Sequence, residues 1–164
     1  MKNLLSTLSC ILFLGGCSHQ NGFSKFAMEP SQERSANSIQ SSKILKEGVV
    51  EGVLSLVYLN EVDPSVYNTH EYFLVAIYNK EKKELSNPNS FLQGALEITL
   101  NEKLPIKIKE LAKEETIVAR LFSQSTWNRY YLVAFEEEKE NKLFLSLKGE
   151  GVSSQILRYS KNEE

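Results

Sequence analysis

From Ile44 onward apolar residues recur with a period of two, the spacing of strands that bury one face. "GVVEGVLSLVYLN" predicts a first long strand. "EYFLVAIYN" is apolar at successive positions, as a central strand covered on both faces is. In "ALEITLNEKLPIKIKEL", Leu96, Ile98 and Leu100 alternate with Glu97 and Thr99. After Asn101-Glu102-Lys103, Leu104, Ile106 and Ile108 repeat the pattern against Lys107 and Lys109. The pair predicts a hairpin with one wet face; Pro105 has no N–H to give and belongs at an edge or a strand start. "KELAKEE" predicts a single helical turn, and "TIVARLF", "RYYLVAF", "LFLSLKG" and "SSQILRY" predict further strands. "KEKKELSNPNS", with Asn87-Pro88, and "EEEKENK" are the polar breaks between them.

Short strands spaced by turns at about 8–12 residues, with no long helical period, predict an all-β domain over residues 44–160. The expected architecture is an antiparallel two-sheet sandwich of immunoglobulin-like type with seven or eight strands, a small barrel being the alternative. "RYYLVAF" resembles the F-strand motif of immunoglobulin and fibronectin III domains, with Tyr130 or Tyr131 in the place of the corner tyrosine. The cysteine pair of antibody domains is absent. Residues 161–164 are expected to fray.

The first residues follow another pattern. Lys2 gives a positive start, and residues 4–14 are an apolar run of about eleven, the length of a secretory signal core. A spanning helix needs about twenty. The run stops at Leu14-Gly15-Gly16-Cys17, which resembles the lipobox of bacterial lipoproteins. The resemblance implies that Leu14, Gly15 and Gly16 are read by the signal peptidase and that residues 1–16 are removed. It further implies that the Cys17 sulfur carries a diacylglyceryl group and its amino group a further acyl chain. One chain holds a protein to a bilayer only marginally; two or more hold it durably. Ser18, where inner-membrane retention uses aspartate, implies the outer membrane, with the protein facing periplasm or cell surface. Cys10 lies within the apolar core and leaves with the cleaved peptide.

Residues 18–43, rich in Ser, Gln and Asn, bury too little apolar surface to offset their ordering entropy. Residues 17–43 therefore read as lipidated cysteine plus flexible tether, with a reach of about 25–30 Å. Phe23, Phe26 and Met28 are its sparse apolar contacts.

Charge and composition narrow the function. The 164 residues carry a net charge of −2, with Lys and Glu interleaved and no basic stripe, which leaves nucleic acid without a surface. After processing, Cys17 is the only cysteine, so no disulfide forms and the domain stands on its core. Asp63, Ser65 and His70 fall together in "NEVDPSVYNTHEY". Asp-Pro-Ser is a turn former, however, and no nucleophile elbow frames the serine. One domain histidine and one aspartate leave no zinc or calcium set. Gly149 and Gly151 in "KGEGVSS" fit a turn better than a phosphate loop. No catalytic residue, metal, cofactor or small-molecule substrate is expected. Tyr58, Tyr67 and Tyr72 read as sheet packing.

What remains is a surface. "SQSTWNRYY" brings Trp127, Arg129 and Tyr130 together, the residue types that dominate binding hot spots. Trp127 also suits a plug of the core, and its size favours that placement. The expected function is a non-catalytic envelope lipoprotein that binds a protein partner or plays an accessory structural role. A surface adhesin or glycan binder is the alternative, and a small hydrolase using His70 comes last.

Overall fold

The computed structural model describes residues 38–86, 94–122 and 125–161. Leu14, Gly15, Gly16 and Cys17, the tether up to residue 37, the Asn87-Pro88 break and residues 162–164 lie outside them.

β1 (Ile39–Lys46) and β2 (Val49–Tyr58) form a hairpin with a two-residue turn. Glu47 and Gly48 both have positive φ, 50° and 84°, the geometry whose twist matches that of the flanking strands. β3 (Glu71–Asn79) pairs antiparallel with β2, and β6 (Arg129–Phe135) with β3. β5 (Lys107–Leu111) closes that side. On the other side β1 pairs with β8 (Val152–Ser154), β8 with β7 (Lys142–Gly149), and β7 with β4 (Glu97–Leu100). β9 (Leu157–Ser160) prolongs β8 along β7. The result is one curled antiparallel sheet, a half-barrel in the order β4-β7-β8-β1-β2-β3-β6-β5. The mostly antiparallel β class agrees with the periodicity, while the nine strands exceed the seven or eight expected. Two separately paired, stacked sheets, as in an immunoglobulin sandwich, are replaced by this single continuous path.

Four local expectations are corrected. First, β4 and β5 do not form a hairpin. Asn101 and Glu102 make a positive-φ turn, and Leu100 and Lys103 exchange both backbone bonds, 3.0 and 2.8 Å. Pro105 then offers no donor, pairing stops, and Ile106 N donates instead to Ala134 O on β6, next to the far edge of the sheet. The two edges are thus consecutive in the chain but hydrogen-bonded to different strands. Second, "TIVARLF" is mostly helix: α1 is the short turn Leu59–Val62, and α2 is Thr116–Leu121. The β-branched run favours a strand locally, but Val118, Leu121 and Phe122 fall at helical spacing and cover apolar side chains of β3 and β6. Third, "KELAKEE" is not a helical turn at its start, because Lys109–Leu111 belong to β5.

Fourth, the folded part starts at Ile39, so residues 39–43 belong to β1 and not to a tether. Their polar composition has a structural use. The Gln40 side-chain amide donates to Arg158 O at 2.6 Å and accepts from Arg158 N at 3.3 Å, copying a backbone ladder pair where β8 gives way to β9. Ser42 Oγ accepts from Gln155 N at 2.9 Å, and Ser154 Oγ from Leu147 N at 3.0 Å. At this irregularity hydroxyls and an amide satisfy backbone groups that regular pairing leaves over.

The inner face holds the main core: Leu54, Leu56 and Tyr58 from β2, Phe73, Val75 and Ile77 from β3, Val133 and Phe135 from β6, and Leu143, Leu145 and Leu147 from β7. A smaller cluster forms on the outer face, where α2 and α1 cover Val57, Leu74, Ala76 and Tyr130. That is why β3 is apolar at successive positions. Tyr58, Tyr131 and Tyr159 lie in the inner core, and burial is the first cause that raises all three phenols above their ordinary 10.0; for Tyr58 the Glu71 carboxylate adds to it. Raised phenols stabilise the fold fully below the unfolded value and lose that contribution as pH rises above it. Stability to urea should therefore be flat from pH 8 to 9 and fall above about pH 10; a flat profile through pH 11.5 contradicts this account.

Candidate functional site

Residues 125–128 turn just before β6. Trp127 N donates to Ser125 Oγ at 3.2 Å, and Ser125 N donates to the Tyr130 hydroxyl at 3.0 Å. Tyr130 itself is 1% exposed, in the outer cluster, with its ring 6.0 Å from that of Phe122. It is not a surface residue. It is the buried post that fixes the loop from five residues downstream, because alternation along β6 sends it to the covered outer face.

Trp127 is not the core plug that its size favours. It is 75% exposed, at the rim of a hollow of about 340 Å³. The end of β3 supplies the opposite wall with Tyr78, Asn79, Lys80 and Lys82, while Thr126 and Asn128 flank the indole and Ile77 and Arg129 form the floor. Asn79 is already engaged: its amide donates to Lys83 O at 2.9 Å and accepts from Lys83 N at 2.6 Å. Lys80 lies 3.4 Å from Glu51. Lys46 and Lys83 hold the Glu81 carboxyl down, to about 2, mainly through their hydrogen bonds.

Arg129 does different work from its neighbour. Its Nη2 meets Glu84 Oε1 at 2.7 Å, and its Nε lies 3.4 Å from Glu110 Oε1 on β5. Residues 84–86 lie beside the start of β4: Leu96 N donates to Glu84 O at 2.8 Å and Ser86 N to Leu96 O at 2.7 Å, with Leu85 buried in the inner core. Arg129 therefore ties the β5 edge to the segment beside β4, across the two edges that do not pair. Its floor position in the hollow is secondary to that clasp.

The hollow lies at a definite end of the sheet. Arg129 faces Ile77, Ile77 faces Leu54, and Leu54 faces Ser42; Trp127 lies further on, toward the Glu47–Gly48 turn. Ser38, where the described chain begins, is at the other end.

The Asp63-Ser65-His70 set does not assemble as a relay. Ser65 Oγ donates to Asp63 Oδ1 at 2.7 Å, and Val66 N and Tyr67 N both donate to Asp63 O, as in a capped turn. His70 stacks 5.9 Å from Tyr72, and no hydrogen bond joins its ring to Ser65 or Asp63 among the described residues. Tyr67 and Tyr72 pack at 5.3 Å beside the outer cluster. Among the described residues no group of three His, Cys, Asp or Glu is placed to hold a metal ion, and no helix is long and apolar enough to cross a membrane. A second hollow, of about 550 Å³, lies along the outer face of β4 and β7, where Thr99 and Ser146 bond to each other at 3.1 Å beneath Phe144.

Sequence reading placed Trp127 and Arg129 together but missed the opposite wall. Tyr78 is the outward member of an otherwise covered strand, and Lys80 and Lys82 sit in a lysine-rich turn that reads as solvated. Only the pairing of β3 with β6 brings them to Trp127. No family model matches the chain, and neither the curated proteins nor the solved structures give a match.

Proposed function

We propose that this chain is a lipid-anchored envelope lipoprotein, held at the outer membrane through Cys17, whose β-domain is non-catalytic and docks a protein partner through the Trp127 hollow. The lipobox-like Leu14-Gly15-Gly16-Cys17 supports the anchor. One observation carries the docking reading: the chain's sole tryptophan is 75% exposed beside a hollow, with its loop pinned by a buried tyrosine. A tryptophan offers about 150–250 Å² for burial, and leaving it in water on a fixed loop forgoes a stabilisation that a partner recovers. Its place at the end of the sheet away from Ser38 points it away from a membrane-side tether. The mainly structural contacts of Asp63, Ser65 and His70 support a non-catalytic domain.

One experiment tests anchor and surface together. The full-length chain, made in its own cells with a photocrosslinker at Thr126, should yield a mature protein starting at acylated Cys17 and a discrete protein adduct. Trp127→Ala should cut the adduct about tenfold or more, as loss of a hot spot does. Retention of Met1 with bare Cys17 overturns the anchor, and an unchanged adduct overturns the surface.

A further inference from the structure

The hollow's own chemistry narrows the partner. Its rim is positively charged. Lys80 and Lys82 carry ammonium groups that only donate. No carboxylate lines the hollow, and the Asn79 amide is consumed by Lys83. Arg129 Nη2 and Nε face Glu84 and Glu110 while its buried Nη1 has no hydrogen-bond partner among the described residues, and Glu81 is held by Lys46 and Lys83. Among the described residues no ion pair engages Lys82, and the contact of Lys80 with Glu51 is long at 3.4 Å. The groups open to a ligand include two ammoniums, the Tyr78 and Thr126 hydroxyls and the Asn128 amide, with the Trp127 ring at the rim, the Tyr78 ring in the wall and Ile77 in the floor.

A neutral sugar would engage the hydroxyls and the amide but leave the two ammoniums without a counter-charge. A carboxylate only accepts, and suits lysines. The aromatic wall suits an apolar side chain beside it. We propose that the hollow selects an acidic, extended peptide segment of the partner, with an apolar or aromatic side chain next to its carboxylates. The proposal rests on the docking reading above and adds the class of ligand.

A random heptapeptide library selected on the full-length chain, and counter-selected on Trp127→Ala, tests it. Peptides that need Trp127 should be enriched in Asp or Glu beside an aromatic or aliphatic residue. Because Trp127 is the only tryptophan, its fluorescence reads binding of each synthetic peptide at this hollow alone. Replacing Lys80 and Lys82 by Gln should weaken those peptides about fivefold, and raised salt should do the same, as for exposed charge pairs. Trp127-dependent peptides without acidic residues overturn the ligand class and leave the docking surface standing. Absence of any Trp127-dependent peptide overturns both. Polygalacturonate that shifts the fluorescence while acidic peptides do not overturns the proposal in favour of an acidic glycan.

Discussion

Glu71→Ala lowers the free energy of unfolding by about 3–5 kcal/mol, the cost of stripping one partner from a buried pair. Glu71 is 2% exposed, yet it is charged in sequence and sits at the start of a central strand. Its carboxylate accepts from the Tyr58 hydroxyl at 2.6 Å and from Glu138 N at 2.9 Å, and it ion-pairs with Lys161. Lys161 also donates to Glu138 O, while the Glu138 carboxylate meets Lys103 at 2.8 Å. Both Glu71 oxygens and the Glu138 carbonyl thus have a named donor. Removing the carboxylate leaves the buried Tyr58 hydroxyl and the Glu138 amide without an acceptor and the partly exposed Lys161 ammonium without its counter-charge. The paired change Glu71→Leu with Lys161→Met removes both charges and should cost less than Glu71→Ala alone. Urea titrations of the three proteins decide the matter. A loss below about 1 kcal/mol for Glu71→Ala means that the network is not closed in solution.

Gly52→Ala is the second large effect, at about 3 kcal/mol, the upper range for overpacking. A methyl group at Gly52 would stand 2.2 Å from Tyr78 O and 3.0 Å from Asn79 Cα, both backbone atoms of the neighbouring strand. Neither can swing aside. β2 must shift away from β3, which also moves the wall of the hollow that holds Tyr78 and Lys80. Gly48→Ala provides the comparison. Its added methyl meets nothing within 4 Å, and only its φ of 84° opposes the change, at about 1 kcal/mol. Thermal unfolding should rank Gly52→Ala well below Gly48→Ala. The reverse order would show that turn strain, not close strand approach, limits this hairpin.

How far the fold is legible depends on how local its causes are. The strands β2, β6 and β7 are legible from alternation and β3 from its continuous apolar run, because each buries one face or both. The helix α2 is not: six residues hold too little periodicity to outvote a β-branched run, and only the open outer face of β3 and β6 demands a cover. The tether boundary failed for a related reason. Gln40 and Ser42 look like linker residues until β8 breaks and needs their side chains. Pro105 reads as an edge residue, but not as the point where a started hairpin turns across the half-barrel. At the site, Trp127 and Arg129 stand two positions apart and group easily. Their roles diverge because one precedes the strand and the other starts its inner face, beside Glu84 and Glu110.

The placement of β1 has a mechanical consequence. The described chain enters at Ser38 directly into a strand paired on one flank with β2 and on the other with β8. Antiparallel ladder bonds lie across the strand axis. A tug on the amino-terminal side therefore runs along β1 and loads many cross-bonds at once in shear, where an edge strand would peel open one bond at a time. The domain is gripped from its middle.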